Sequence, residues 1–218
     1  MKLTIIFTLF SLIVFSQKKE TFTGKLVYEI NMVDTSLQKV FPTREMVIYT
    51  NDTIVRIENE TQQFGKQIVI KHTIFNKSYL LLNDGVNKFA IQTDLNNTKK
   101  DSTTFKPIYK KKCGKTPFLG YKANRILVTT NENTPTTEIL YLKHLSPKYI
   151  DAFKDTPGLP VKYILSTHEG DVSYKLIKIE KSNPEHDLFG IPSDYKKVSF
   201  DDFLEIMYMN KNNESSPK

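Results

Sequence analysis

The chain has 218 residues, with 31 Lys+Arg against 24 Asp+Glu for a formal net charge of +7, and 39% of its residues are hydrophobic. That length suits one domain, at most two, and can bury a substantial core; ordinary charge content with 11 Tyr and 14 Phe argues against global disorder. A single cysteine excludes an intrachain disulfide framework and any Cys-rich zinc site.

At the N-terminus Lys2 precedes an uncharged apolar stretch from Leu3 to Phe15, and Ser16 then stands before Gln17-Lys18-Lys19-Glu20. The apolar stretch is well short of the roughly 20 residues that cross a bilayer as a helix. A basic start, a short apolar core and a small residue at the end are the pattern of a secretory signal, here residues 1–16. Position 17 is Gln rather than the cysteine of a lipid-anchored bacterial protein, so the expected location is periplasmic or secreted, with no lipid anchor. No later segment is long and apolar enough to span a membrane as a helix. The densest basic piece, Lys106, Lys110, Lys111, Lys112 and Lys115, has only Tyr109 beside it. A nucleic-acid groove alternates cations with stacking aromatics, so nucleic acid is set aside as a partner. A solvated face, or peripheral contact with an anionic membrane surface, accounts for the charge surplus.

From Phe22 to Met32 the even positions are apolar or glycine and the odd ones mostly polar, which predicts a long strand with one buried face. Further strands are predicted over Glu45–Thr50, Thr53–Glu58, Gln67–Phe75, Ser78–Leu82, Lys88–Thr93, Tyr121–Thr130, Glu138–Leu142, Val161–His168 and Val172–Lys181, all rich in residues that fit a pleated surface. Asn51-Asp52, Asn83-Asp84-Gly85 and Glu169-Gly170-Asp171 are hairpin signals, and short connections pair neighbours antiparallel. The expected fold class is therefore mainly β with few helices (α+β): one large antiparallel sheet or an open barrel, in one domain over residues 17–210. Polar residues from Asp94 to Thr104 read as a loop, and 211–218 as a frayed tail. Ser199 caps a predicted helix to Tyr208 whose Phe200, Phe203, Leu204 and Met207 form one stripe against the sheet. Ser146–Lys154, with Pro147 in first position, predicts a shorter helix. Leu188, Phe189 and Ile191 are expected to plug one end of the sheet.

Little in the chain carries chemistry. His72, His144, His168 and His186 have no spacing that puts two ligands on one helix face, so neither a metal site nor a cofactor is expected. No nucleophile elbow or phosphate loop is present. Cys113 follows three lysines and is flagged as a free thiol, but catalysis there would need a base and an orienting partner. No catalytic residue is assigned.

Several short motifs nevertheless resemble a known group. The leader ending Phe15-Ser16-Gln17 followed by Thr23-Gly24-Lys25-Leu26-Val27-Tyr28-Glu29 resembles the opening of small exported proteins of the Bacteroidota. Phe118-Leu119-Gly120-Tyr121-Lys122-Ala123 is similar to their Leu-Gly-Tyr-Lys-Cys signature, with Ala123 in place of the cysteine. Pro157-Gly158-Leu159-Pro160-Val161 resembles the Gly-Leu-Pro segment of the GLPGLI family, and Phe189-Gly190-Ile191-Pro192 with Tyr195-Lys196 resembles the ending of related domains of unknown function. The resemblance implies a distant likeness to LolA/LolB-like lipoprotein-binding folds, in which a curved half-barrel sheet half-encloses an apolar cavity under helical lids. It implies as ligand a lipid or lipoprotein acyl chain, lined here by Tyr28, Ile30, Val69, Phe89, Ile126 and Tyr163. The alternative is a non-catalytic envelope interaction or scaffold module with a filled sheet and a protein partner.

Overall fold

The computed structural model describes residues 21–61, 65–75, 77–83, 85–94, 107–129 and 136–214. The segment read as an export signal and residues 95–104 of the polar loop lie outside them. Period-two patterning produces β1 (Gly24–Met32), β2 (Arg44–Thr50), β3 (Ile54–Thr61), β4 (Gly65–His72), β5 (Lys77–Asn83) and β6 (Lys88–Asp94), then β7 (Ile108–Phe118), β8 (Tyr121–Thr129), β9 (Thr137–Leu142), β10 (Leu159–Thr167), β11 (Gly170–Lys181), β12 (Lys196–Ser199) and a helix α1 (Phe200–Glu214). They form one open, curved 12-stranded sheet in the order β12-β6-β5-β4-β3-β2-β1-β11-β10-β9-β8-β7. Every pairing is antiparallel except that of β12 with β6. The mainly-β, one-sheet architecture with a C-terminal helix packed on it is thus as expected.

The face carrying Leu26, Tyr28 and Ile30 is the inner face. Register makes it continuous: Ile179, Leu26, Ile48, Ile57, Val69, Leu80, Ile91 and Val198 are successive partners across eight strands. Toward the β6 edge the strands are apolar on the outer face as well, where Ile68, Ile70, Leu81 and Ala90 form a second cluster. Those outer residues are covered by the chain after β11, which crosses the sheet to reach β12. Ile191 and Tyr195 of this strap pack on that cluster, and Arg56 Nη1 donates to the Leu188 carbonyl at 2.8 Å. The 188–191 segment therefore covers a face and does not plug an end.

Two strands carry no alternation signal. In β7, Lys110, Lys111 and Lys112 are consecutive, because an edge strand with little to bury needs no apolar period. Lysines and the irregularity between Lys112 and Lys115 blunt this edge against pairing with another chain. Strand β12 has four residues and, among the described strands, pairs only with β6, in parallel.

The two helix readings also need correction. Ser146–Lys154 forms two 3-10 turns, Pro147–Tyr149 and Asp151–Phe153, with Ser146 Oγ capping Lys148 N–H at 3.4 Å. Between them Ile150 is extended (φ −123°, ψ 103°) with its side chain buried, which stops helix propagation. Helix α1 does start at Ser199, whose Oγ accepts from Asp202 N–H at 3.1 Å while Asp202 accepts from Ser199 N–H, a reciprocal cap. It continues through 211–214, read from sequence as a frayed tail, and its orientation differs from the expected stripe. Phe203 and Ile206 pack on Leu82, Phe89 and Ile91, while Phe200, Leu204 and Met207 are exposed. The helix rests on the narrow edge formed by β6 and β12, which takes only one ridge of side chains.

The β7–β8 turn is Leu119-Gly120, both with positive φ (46° and 79°). Leucine in the left-handed region costs about 1–2 kcal/mol, whereas Asn visits it readily. Leu119→Asn is expected to raise stability by about 1 kcal/mol, read as a higher urea midpoint with unchanged slope.

Candidate functional site

Register places all six residues read as cavity lining on the inner face, but in separate neighbourhoods. Tyr28, Ile126 and Tyr163 belong to the main core, packed with Leu145, Tyr149, Ile150 and Phe153 of the β9–β10 connection. Ile30 lies in a smaller cluster with Met32 and Val172, closed by Leu37 and Phe41. Phe89 meets the Phe203 ring edge-on at 5.5 Å under α1. Val69 is half-buried in mid-sheet, beside half-buried Leu80. The first five are buried by the chain's own segments.

The main cover, residues 143–158, is tied down at several points. Tyr149 Oη donates to Asp52 Oδ1 at 2.9 Å and accepts from Phe22 N–H at 3.2 Å. Lys148 pairs with the same Asp52 oxygen at 2.6 Å, and Lys71, reaching from the inner face of β4, pairs with Asp151. At the return into β10, Leu159 N–H donates to Leu145 O at 3.0 Å. Beneath the cover Tyr163 stacks on Tyr174 (4.9 Å between centroids, 8° between planes), meets Phe153 edge-on at 4.9 Å, and approaches Tyr28 at 6.2 Å. Tyr28 Oη donates to the Pro160 carbonyl at 2.7 Å.

Burial pushes the phenols of Tyr28 and Tyr163 far above their ordinary range, helped by the neighbouring Tyr163 and Tyr174 respectively. Tyr149 is raised chiefly by burial too, the Phe22 N–H working against the rise and Asp52 adding to it. These groups keep their protons in the fold where the unfolded chain, titrating near 10, gives them up. Their contribution is complete below about pH 10 and is lost as pH rises toward the folded values. From these three groups alone the fall in stability reaches about 4 kcal/mol per pH unit. Phenolate absorbance should show these three of the 11 tyrosines ionising only together with loss of the β signal. Ionisation of all of them near pH 10 in folded protein would contradict the packing described.

A cleft of about 590 Å³ lies at the end of β2–β4, lined by Phe41, Arg44, Glu45, Glu58, Glu60 and Lys66 among others. Burial acts to raise the Glu58 carboxyl, but hydrogen bonds and charge from Lys66 (2.9 Å) and Arg56 (2.7 Å) outweigh it and hold it below the usual range. Glu58, so paired, is not the raised carboxyl that a general acid at neutral pH requires. Cys113 is exposed at the β7 irregularity, and His144 lies against the Tyr121 ring at 5.2 Å. Among the described residues no three His, Cys, Asp or Glu side chains gather as a metal site would need, and no helix is long and apolar enough to cross a membrane.

No family model and no curated protein matches the chain. Among solved structures it is similar to PNGF-II in its C2 crystal form, with a TM-score of 0.52 and 14% identity over 84% of this chain and 32% of that one. The P21 form of PNGF-II gives 0.51 and 12% over 84% and 33%. The chain thus spans about a third of the length of PNGF-II, and at these identities the likeness is one of fold. MucB in complex with MucA(peri) is matched at a TM-score of 0.43 and 14% identity, over 80% of this chain and 56% of that one.

Proposed function

We propose that this is an exported, non-catalytic envelope protein of the GLPGLI type that works as an interaction module, its partner a protein and not an acyl chain held inside the sheet. The observation that carries this reading is the closure of the inner face: Tyr28, Ile30, Phe89, Ile126 and Tyr163 are each buried under segments of the same chain. A lipid carrier offers free apolar volume, since each enclosed methylene contributes about 0.8 kcal/mol only when it displaces water from an open wall. The described residues also expose an apolar ridge. Phe200, Leu204, Met207 and Tyr208 follow one another along α1 at helical spacing and face away from the sheet. Such a ridge suits an apolar groove on another protein.

The inner-face region around Val69 and Leu80 is half-buried, and it is where an apolar ligand would have to sit. Extraction of the purified protein followed by mass spectrometry should return no stoichiometric lipid, and titration with a fluorescent fatty acid should show no saturable uptake. Recovery of one bound lipid per chain, displaced by the fatty acid and weakened by Val69→Asp, would overturn the interaction reading in favour of the carrier.

A further inference from the structure

We propose that the outer face of the sheet over β7–β11 is a docking surface for an anionic lipid bilayer. Register lines up one row of side chains across five strands on that face: Lys112, Arg125, Leu140, Lys162 and Lys175 are successive partners, and Lys110 stands beside the row opposite Leu127. Two of the pairs, Lys112 with Arg125 and Lys162 with Lys175, are directly opposed like charges, an arrangement that destabilises a sheet. Glu138 is the carboxylate set among them, pairing with Lys112 at 2.6 Å and Arg125 at 3.6 Å. Lys162 and Lys175 are exposed and, among the described residues, neither stands within ion-pair distance of a carboxylate, although the Lys162 charge reaches Glu138 and Glu29 lies opposite Lys175 on β1.

Protection of a free edge explains lysines on β7 but not those on β10 and β11, which have a strand on either side. A repulsive row kept in the interior of a sheet is the kind of local conflict that a ligand of opposite charge relieves. The strap after β11 covers the outer face on the β3–β6 side and leaves this half open.

The identity of the anion follows from what lies between the cations. Ile108 is 49% exposed, and Leu127, Leu140 and Ile164 are half-buried on the same face. Cations set around aliphatic side chains on a broad sheet surface match phosphate headgroups over acyl chains, whereas a sulfated polysaccharide or an acidic peptide leaves the aliphatic groups unused.

Flotation with vesicles tests this on the purified protein. Binding is expected to vesicles with about 30 mol% phosphatidylglycerol in phosphatidylcholine, to be absent on phosphatidylcholine alone, and to be abolished by about 0.5 M salt. Removing one surface lysine costs about five-fold in membrane affinity, so Lys162→Gln with Lys175→Gln should weaken binding about 25-fold. Lys39→Gln, on a 3-10 turn elsewhere, should change it less than about two-fold. Far-UV spectra and thermal midpoints verify that the variants are folded, and the salt titration of the unmodified protein provides an independent readout. Equal binding to neutral vesicles, failure to bind anionic ones, or retention on heparin or polyglutamate without vesicle binding would each overturn the proposal.

Discussion

Replacing Gly158 by alanine is expected to destabilise the fold by about 3 kcal/mol or more. Gly158 is buried in the turn that leads the 143–158 cover back into β10. A Cβ placed there would sit 2.2 Å from the Leu142 carbonyl oxygen and 2.8 Å from both Leu142 C and Lys143 Cα. All three are backbone atoms, so no side chain can swing aside. The turn would have to lift from the end of β9, straining the Leu159–Leu142 pairing, the Leu159 N–H to Leu145 O bond, and the hydrogen bond from Thr156 Oγ1 to the Gly158 carbonyl (2.7 Å). Gly190→Ala serves as the comparison, since its nearest obstacle is the Asp187 carbonyl at 3.3 Å and its φ of −80° is ordinary. Chemical denaturation should show a drop in midpoint several times larger for Gly158→Ala than for Gly190→Ala. Equal drops would show that the cover is not seated on β9 as described.

Tyr163→Ala is expected to cost about 3–5 kcal/mol, a large share of the roughly 5–15 kcal/mol that holds a domain together. The ring is 2% exposed and touches Tyr28, Phe153 and Tyr174 in three different geometries, so neighbours cannot collapse into the void without leaving their own contacts. Tyr163→Phe keeps the ring and should cost less than about 1.5 kcal/mol. The difference between the two substitutions, measured by urea unfolding, separates ring packing from the hydroxyl. A cost below about 1 kcal/mol for the alanine variant would mean that the inner face is hollow here, which would reopen the carrier reading.

Both predictions concern the cover, the part of the molecule least visible in the sequence. The strand-like runs from Phe22 to Lys181 were readable because a half-buried strand must alternate, and each such run contains a strand whose ends differ by a few residues at most. Alternation failed in β7, where a position at the sheet edge removes the need to bury a side, and in the four residues of β12, too few for any period. In α1 the cap at Ser199 was readable, whereas the buried side was not. Several apolar positions compete for it, and the narrow β6–β12 edge selects Phe203 and Ile206. The six positions read as cavity lining do share one face, as their parity demands, yet parity is silent on what lies above them.

Sequence by itself determined which side chains share a face within each strand-like run, where three of the hairpins turn and where the capped helix begins, because each depends on backbone geometry within a few residues. Tertiary structure alone decided that β1 lies beside β11, that residues 143–158 close the inner face, that the strap crosses the outer one, and that lysines from three strands align in a row with an arginine. Those outcomes come from competition among surfaces far apart in the chain. The winning arrangement is the one that removes the most apolar area from water while leaving the charges outside.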